Sequence, residues 1–398
     1  MSERIVFLNG CLITPFRTLR KGSVIVKGSK IERVGASPDA IPKDAITIDV
    51  DGCYILPGFI DIHVHGGAGA DAMDASLDAI EKIVNFHAKG GTCSIVLSTV
   101  TASKEEILRA IEAVRKAKKE LRAGAKILGI HLEGPYLSMK QKGAHNPKYI
   151  RDPSPEEYEE FLKYSEDIVR VTVAPELKGA LELGRRLRER GILPCIGHSD
   201  ATLDEVAKAM EVGYSHVTHI YSCTSTVKVR GYKIPGVIEA SFLFDELTVE
   251  IIADGKHLPP SLIRLILKIK GIDKVCAVTD AVRVAGLPPG TYEVGGLKVL
   301  LEEDGVWLPD HSAFAGSIAT MDVVIRYLVK DVGLSLEDAA KLVTINPARI
   351  IGIDREKGSL TEGKDADIVV LDKDLRVVLT MVEGRIVYKS EYIDAQGL

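Results

Sequence analysis

The feature that most constrains the fold of this chain is an alternation in its middle part between short apolar runs and amphipathic stretches. The apolar runs are GFIDIHVH (58–65), TCSIVLST (92–99), ILGIHLEG (127–134), VRVTVAPE (169–176), ILPCIGHS (192–199), SHVTHIYS (215–222), TVEIIADG (248–255) and KVCAVTDA (274–281). Most of them are separated by stretches with helical spacing, such as SKEEILRAIEAVRKAKKE. Continuously apolar strands are typical of parallel sheets covered on both faces. The alternation therefore predicts an α/β fold, a (β/α)₈ TIM-like barrel.

Both ends of the chain differ from this middle part. The first part contains short alternating runs such as GSVIVKGSKIERVG, and the last part contains GSLTEGKDADIVVLDKDLRVVLTMVEGRIVYKS. Such runs, broken by Gly, Asp and Pro, are typical of strands joined by turns. We predict that residues 1–57 and 347–398 together form a small β-sandwich domain, and that residues 58–346 form the barrel.

Composition argues against two classes of partner. The net charge is −5, and no basic stripe interleaved with aromatic residues suggests a nucleic-acid surface. The longest apolar stretches fall short of the ~20 residues that a membrane helix needs. The amino terminus, MSERIVFLNG, has no apolar signal-peptide region, and the six cysteines are scattered singly. These features predict a cytoplasmic protein that binds neither nucleic acid nor membrane.

Polar side chains cluster at the predicted carboxyl ends of the barrel strands. His63 and His65 end the first run and point to the same face, because residues i and i+2 of a strand share a face. Glu133, His198 and His219 lie at the ends of the third, fifth and sixth runs. In this fold the strand ends meet at one rim, where active sites lie. Imidazole and carboxylate groups together are typical ligands of catalytic Zn²⁺ or a similar divalent ion.

Asp280 ends the eighth run, in the segment AVTDAV. An isolated Asp at a strand end could cap the following helix. Beside a metal site it can instead take a proton from metal-bound water during attack on an amide carbonyl, and then deliver that proton to the leaving amine. Amide hydrolysis needs this delivery because an amide anion is a poor leaving group. We therefore predict that Asp280 is the general base and then the general acid.

A set of longer motifs occurs in one order along the chain: PGFIDIHVHGGAGAD, HLEGPYLS followed by KGAH, GHSDAT, THIY, ADGKHL, VTDA, FAGS and GSLTEGKDADIVVLD. In this order they resemble the N-acetylglucosamine-6-phosphate deacetylase family of the amidohydrolase superfamily. The likeness runs from about residue 50 to residue 373 and fits the split β domain. It implies metal-dependent hydrolysis of the N-acetyl group of N-acetylglucosamine-6-phosphate, or of a close N-acetylhexosamine-6-phosphate, to the amino sugar phosphate and acetate.

The resemblance also implies roles for single residues. Glu133, His198 and His219 match the ligands of a principal ion. His63 and His65 match a pair that some members use for a second ion, with Glu133 as the bridge. One or two ions per chain are therefore expected. We expect Zn²⁺, although Fe²⁺, Mn²⁺, Co²⁺ and Ni²⁺ can use the same ligands.

Two further histidines match residues that contact the substrate in this family. His257 matches the residue that polarises the acetamide carbonyl, and His145 of KGAH matches a substrate-contacting histidine. The small-molecule partner implied is an amino sugar phosphate.

The segment HIYSCTSTVKVRGYKIPG departs from the family pattern. Ser222 and Cys223 replace an Asn and its neighbour that hold the sugar phosphate. In this family, an Arg of the neighbouring subunit also binds the sugar phosphate, which implies a homodimer. Here either Arg230 or Lys233 could match the position of that Arg. Arg283 is an additional cationic candidate.

This departure leaves other substrates open. One alternative is an amidohydrolase that deacylates another N-acyl sugar or amino acid. A more remote alternative is a non-catalytic barrel that serves as an interaction module. The chain retains all of the predicted ligands and Asp280, which argues against loss of activity.

Overall fold

The computed structural model describes residues 4–15, 17–35 and 41–391. Its central sheet has eight parallel strands: β1 (Phe59–Val64), β2 (Thr92–Ser98), β3 (Lys126–Glu133), β4 (Ile168–Val173), β5 (Leu193–Ile196), β6 (His216–Val217), β7 (Thr248–Ile252) and β8 (Val275–Val278). Their spatial order is their order in the chain. A parallel bridge between Val64 and Ala281 brings the last strand back to the first. The predicted TIM-like barrel is confirmed.

Helices lie between and after these strands: α1 (Leu77–Lys89), α2 (Lys104–Glu120), α3 (Pro155–Leu162), α4 (Ala180–Glu189), α5 (Leu203–Glu211), α6 (Val237–Leu243), α7 (Pro260–Lys270), α8 (Met321–Lys330), α9 (Leu336–Val343) and α10 (Ile345–Ile350). In α2, Ile107, Ile111 and Val114 are buried on one face, as the helical spacing requires. Ser103 and Glu106 form a capping box that starts this helix. Among the described residues, no helix is long and apolar enough to cross a membrane.

Strands from both ends of the chain form a second eight-stranded sheet: Arg4–Ile13, Thr18–Lys27, Lys30–Val34, Ile46–Asp49, Tyr54–Pro57, Ile368–Leu371, Val377–Val382 and Arg385–Lys389. The two ends meet where Tyr54–Pro57 pairs antiparallel with Ile368–Leu371. Phe7, Leu12 and Leu379 are among the side chains of its own core. The small β domain built from both termini is thus confirmed. Its division from the barrel at 57/58 and 346/347 stays a prediction, and residues 1–3 and 392–398 lie outside the described part.

Small β elements flank the carboxyl rim of the barrel. A hairpin of Lys228–Arg230 and Tyr232–Ile234 follows β6. A three-stranded sheet follows β8 and is formed by Gly290–Val294, Leu297–Glu302 and Gly305–Trp307. A further short pair, Gly66–Gly67 with Ala70–Asp71, follows β1. Each of these elements follows the carboxyl end of a barrel strand, so each lies on the side of the rim.

Candidate active site

Glu133, at the end of β3, is the centre of a buried cluster at the carboxyl rim. Its Oε1 lies 2.9 Å from His219 Nε2 and 3.3 Å from His198 Nε2. Its Oε2 lies 3.1 Å from His65 Nε2 and 3.4 Å from His63 Nε2. All of these residues are buried. The barrel therefore brings together the residues that the sequence predicted as metal ligands.

Asp280 joins this cluster from the end of β8. Its Oδ1 lies 3.2 Å from His65 Nε2 and 3.5 Å from His63 Nε2. The backbone of Asp280 is left-handed, with φ of 51°, and so is that of His198 (46°) and His219 (28°). Such conformations are uncommon for residues with a Cβ atom and are concentrated at functional sites.

Protons on the imidazoles balance the buried carboxylates. Burial alone lowers the pKa of His63, but Glu133, Asp280 and Glu250 outweigh burial and raise this pKa to about 10. Burial likewise lowers the pKa of His65, and hydrogen bonds to Asp280 and Glu133 outweigh it to raise the pKa to about 9. Burial raises the pKa of Glu133, but the imidazoles around it hold that pKa well below its usual range. Protons in such a cluster are the ones that a bound cation displaces.

The donor set fits a divalent cation. Groups with ligand atoms within 4.8 Å of one another are His63–His65–Asp280, His63–Glu133–His219 and Glu133–His145–His198. Mixed imidazole and carboxylate ligands suit zinc and several other divalent ions, so the donors do not select one metal. Glu133 belongs to two of the groups, with one oxygen toward each pair of histidines. That position allows a carboxylate to bridge two ions.

Neighbouring acceptors determine which ring nitrogen faces the cluster. His198 Nδ1 donates to the carbonyl oxygen of Gln141 at 2.8 Å, and His219 Nδ1 donates to that of Ser222 at 3.1 Å. A carbonyl oxygen can only accept, so the Nε2 atom of each neutral ring keeps its lone pair for a ligand bond. His63 Nδ1 lies 2.7 Å from Glu250 Oε1 instead.

A cavity of about 270 Å³ opens above the cluster. The predicted substrate contacts His145, His257, Ser222 and Cys223 line it, together with Asp280. The carbon wall of this cavity includes Val294 and Phe314 from the insertion after β8. The volume and lining suit a small polar molecule with one apolar face.

His145 faces this cavity as a neutral ring. Its Nδ1 accepts the backbone N–H of Thr101 at 3.2 Å, so Nε2 carries the ring hydrogen. Nε2 lies 3.5 Å from Glu133 Oε2. Burial lowers the pKa of His145 to about 4. His145 can therefore donate a hydrogen bond at neutral pH.

His257 is held by Asp254, three residues earlier. Asp254 Oδ2 lies 2.8 Å from His257 Nδ1, and Asp254 Oδ1 accepts the backbone N–H of His257 at 2.9 Å. Burial lowers the pKa of His257, but the hydrogen bond and charge of Asp254 outweigh it and raise the pKa. The ring lies 4.9 Å from that of Phe314. This arrangement fixes the direction of the His257 ring.

Two of the predicted phosphate donors lie away from this cavity. Neither Lys233 nor Arg283 lines the cavity. Lys233 is exposed in the hairpin, and Arg283 donates to Asp74 Oδ2 at 3.0 Å and to the Gly69 carbonyl at 3.3 Å. The side chain of Arg230 lies outside the described part of the chain. Binding of phosphate by these residues stays a prediction.

Sequence reasoning missed a polar layer below the cluster. Glu250 in β7 and Arg170 in β4 are fully buried and form an ion pair at 2.5 Å. His216 Nε2 lies 3.2 Å from the same Glu250 oxygen. The sequence did contain a signal for this layer, because Arg170 and Glu250 are charged residues within continuous apolar runs. A buried charge is costly without a partner, so each of them predicts one.

Known proteins resemble this chain over nearly its whole length. A model of the amidohydrolase family matches residues 54–387. N-acetylglucosamine-6-phosphate deacetylase of Bacillus subtilis (strain 168) is 34% identical over 404 residues, covering 99% of this chain and 100% of the relative. N-acetylgalactosamine-6-phosphate deacetylase of Escherichia coli O157:H7 is 32% identical over 352 residues, covering 88% and 92%.

A solved structure agrees with these sequence relatives. It is a mutant N-acetyl-D-glucosamine-6-phosphate deacetylase of Mycobacterium smegmatis in complex with N-acetyl-D-glucosamine-6-phosphate. The TM-score is 0.90 at 32% identity, covering 97% of this chain and 100% of that one. Because the match extends through both the barrel and the terminal β domain, the chain belongs to the amidohydrolase family, together with the N-acetylglucosamine-6-phosphate deacetylases.

Proposed function

We propose that this protein is a metal-dependent deacetylase that hydrolyses N-acetylglucosamine-6-phosphate to the amino sugar phosphate and acetate. The observation that carries the proposal is the convergence of the Nε2 atoms of the four proposed ligand histidines on Glu133, beside Asp280, at the rim of the barrel. The relatives that share the fold along its length bear the name of this activity.

The proposed ligands of the principal ion are Glu133, His198 and His219. His63 and His65 would hold a second ion, with Glu133 as the bridge. Zn²⁺ is the proposed metal, with Fe²⁺, Mn²⁺, Co²⁺ and Ni²⁺ as alternatives. A divalent ion bound there supplies a Lewis acid for the amide carbonyl and lowers the pKa of water.

Asp280 is proposed to carry the proton. Burial raises the pKa of its carboxyl group, but His63 and His65 outweigh burial and lower that pKa. It also lines the cavity. An ionised carboxylate at this place can accept a proton from water and then protonate the leaving amine.

Two histidines are proposed to orient the substrate. His257, whose ring is fixed by Asp254, polarises the acetamide carbonyl. His145 donates its Nε2 hydrogen to a substrate oxygen, since its Nδ1 is occupied by a backbone N–H. Ser222 and Cys223 complete this side of the cavity.

We also propose a homodimer in which one subunit supplies a basic residue to the cavity of the other. Among the described residues, the cavity lining includes no Lys or Arg, whereas a phosphate dianion needs charge-assisted donors. The hairpin after β6 is exposed, with Val229 64% and Tyr232 70% accessible, so its basic residues can reach a neighbouring subunit. Lys233 and Arg230 of this hairpin are the proposed donors. Arg283 is proposed as an additional donor from within the same barrel, not across the interface.

Acetate release tests the proposed reaction. The metal-loaded protein is assayed with N-acetylglucosamine-6-phosphate, its galactosamine isomer and the two unphosphorylated sugars. We expect the highest kcat/KM for N-acetylglucosamine-6-phosphate. Faster turnover of the galactosamine isomer would instead support the activity named for the Escherichia coli relative. If none of the four sugars yields acetate but an N-acetyl amino acid does, the result would support the alternative function, an amidohydrolase that deacylates N-acyl amino acids.

Mixing two impaired variants, assayed at a substrate concentration below the wild-type KM, tests the shared site. One carries Asp280→Asn and the other carries Lys233→Ala together with Arg230→Ala. After subunit exchange, a mixed dimer has one cavity with a normal Asp280 and normal donors from its partner. Recovery of activity is expected only if the donors cross the interface. Addition of the two residual activities, with no gain, would contradict the proposal.

Location and domain division complete the proposal. All six cysteines are free, as is usual in a reducing compartment such as the cytoplasm. We assign catalysis to residues 58–346 and propose that residues 1–57 with 347–398 form a separate β domain.

A further inference from the structure

We propose that Glu250 is a positioning residue for the metal site, because it accepts the Nδ1 hydrogen of His63 and thereby presents His63 Nε2 to an ion. The inference rests on the proposed function, in which His63 holds the second ion. Glu250 lies in β7, and His63 lies in β1. The two residues therefore meet across the interior of the barrel.

The hydrogen bond between them fixes the tautomer of His63. Glu250 Oε1 lies 2.7 Å from His63 Nδ1, and both side chains are 0% exposed. An ionised carboxylate can only accept, so the neutral ring must carry its hydrogen on Nδ1. The lone pair is then on Nε2, which lies 3.3 Å from His65 Nε2 and 3.4 Å from Glu133 Oε2. This is the side on which an ion would be held.

Glu250 is itself held in place on its other oxygen. Oε2 accepts Arg170 Nη1 at 2.5 Å and lies 3.2 Å from His216 Nε2. Arg170 Nη2 in turn donates to Thr218 Oγ1 at 2.9 Å. Rotation of the carboxylate would leave a buried guanidinium without its partner, which is strongly unfavourable. Glu250 therefore offers His63 an acceptor in one fixed position.

The same contacts exclude another interpretation of Glu250. His216, Glu250 and Cys276 have potential ligand atoms within 4.8 Å of one another, which is a spacing that a metal could use. The Arg170 guanidinium, however, already supplies a full positive charge to Glu250. A cation there would face that charge at close range. The layer below the cluster therefore positions ligands and does not bind an ion.

His63 differs from the other proposed ligands in the kind of acceptor that it uses. His198 and His219 donate to neutral backbone carbonyls. His65 Nδ1 is buried and has no hydrogen-bond partner among the described residues. A carboxylate acceptor makes an imidazole a stronger ligand than a carbonyl does. Loss of Glu250 should therefore weaken the second ion selectively.

Two double variants isolate this hydrogen bond. Both carry Arg170→Met, so that no buried charge is left unpaired, and they combine it with Glu250→Gln or Glu250→Leu. The amide oxygen of Gln can still accept from His63 Nδ1, whereas Leu of similar volume cannot. Zn²⁺ is titrated against a competing chelator, and ions per chain are counted. The chelator titration measures the affinity for each ion, and this measurement does not depend on catalytic activity.

We expect the Leu variant to bind its second ion about 10- to 100-fold more weakly than the Gln variant, and the Gln variant to bind it more weakly than the wild type because its acceptor is neutral. The first ion should be unaffected in both, which shows that the fold is retained. Equal second-ion affinities in the two variants would overturn the proposal. Failure of the proposed function would be distinguishable, since it would appear as two tightly held ions without acetate release.

A measurement on the unaltered protein applies even if these variants do not fold. In ¹⁵N-histidine spectra of the zinc-loaded protein, we expect His63 to carry a slowly exchanging hydrogen on Nδ1 and none on Nε2. The resonance is assigned by its loss in His63→Gln. A His63 ring that is protonated on Nε2, or that binds zinc through Nδ1, would refute the assignment.

Discussion

Metal binding to this cluster should release protons, because three of the proposed ligands are charged when no metal is bound. Glu133, Asp280 and Glu250 raise the pKa of His63 to about 10, against burial, and the pKa of His65 is about 9. Burial lowers the pKa of His198, but Cys223 and Glu133 outweigh it and place that pKa well above its usual value. An imidazole must lose its second proton to bind a metal. Filling both positions at pH 7 should therefore release about three protons per chain.

The second ion should account for about two of these protons, one from His63 and one from His65. Displacing two protons changes the apparent affinity by about 100-fold per pH unit, which is about 2.7 kcal/mol. The affinity for the second ion should fall as the pH falls, because protons and metal compete for the same nitrogens. The dependence should disappear only above about pH 10, where both His65 and His63 lose their protons without metal.

Isothermal titration calorimetry with Zn²⁺ at pH 7 measures this release, if it is repeated in buffers of different ionisation enthalpy. The matched control is the double variant His63→Gln with His65→Gln, which should bind about one ion and release about one proton. A release below about one proton for two ions would refute the reasoning, because the imidazoles would then already be neutral. Loss of all metal binding in the double variant would refute the division into a principal and a second ion.

Other substitutions test the remaining roles. Asp280→Asn should retain fold and metal but lose about 10²- to 10⁴-fold in kcat for acetate release, and near-normal kcat would exclude it as the proton carrier. Asp254 raises the pKa of His257, so Asp254→Asn should move the alkaline limb of the kcat profile to lower pH, and an unchanged profile would contradict the role of His257. Lys233→Ala and Arg230→Ala should raise KM for the phosphorylated sugar by about 10- to 150-fold, from a lost charged hydrogen bond of ~1.5–3 kcal/mol. Equal effects on the unphosphorylated sugar would contradict phosphate binding.

The barrel could be predicted from the sequence because strands buried on both faces leave continuous apolar runs. The run GFIDIHVH contains β1, and TVEIIADG contains β7. Strand β6 is the instructive case, since the run SHVTHIYS is regular only at His216–Val217. His219 and Tyr221 then adopt left-handed backbone conformations, with φ of 28° and 74°. Apolar patterning cannot reveal such a departure, because it records burial and not backbone angles.

It could be predicted from the sequence that the residues at the strand ends lie close together, because all parallel strands of a barrel end at one rim. The partners that orient the ligands could not be placed in this way. Glu250 contacts Arg170 from a different part of the barrel, and nothing in either run pairs the two. The backbone N–H of Thr101 orients His145, and a contact made by the backbone leaves no pattern in the sequence.

Closure of the barrel and the position of the proposed proton carrier depend on the backbone of the same residue, Asp280. The backbone N–H of Asp280 donates to the His63 carbonyl at 3.0 Å, and the Asp280 carbonyl accepts the N–H of Ser317 at 2.8 Å. A left-handed residue with a Cβ atom costs about 1–3 kcal/mol and persists only where its surroundings fix it. Here the first strand fixes Asp280 on one side, and the segment after the β8 insertion fixes it on the other. The hydrogen bond that joins the last strand to the first therefore also positions the Asp280 carboxylate beside His63 and His65, so the proposed catalytic geometry depends on barrel closure at this position.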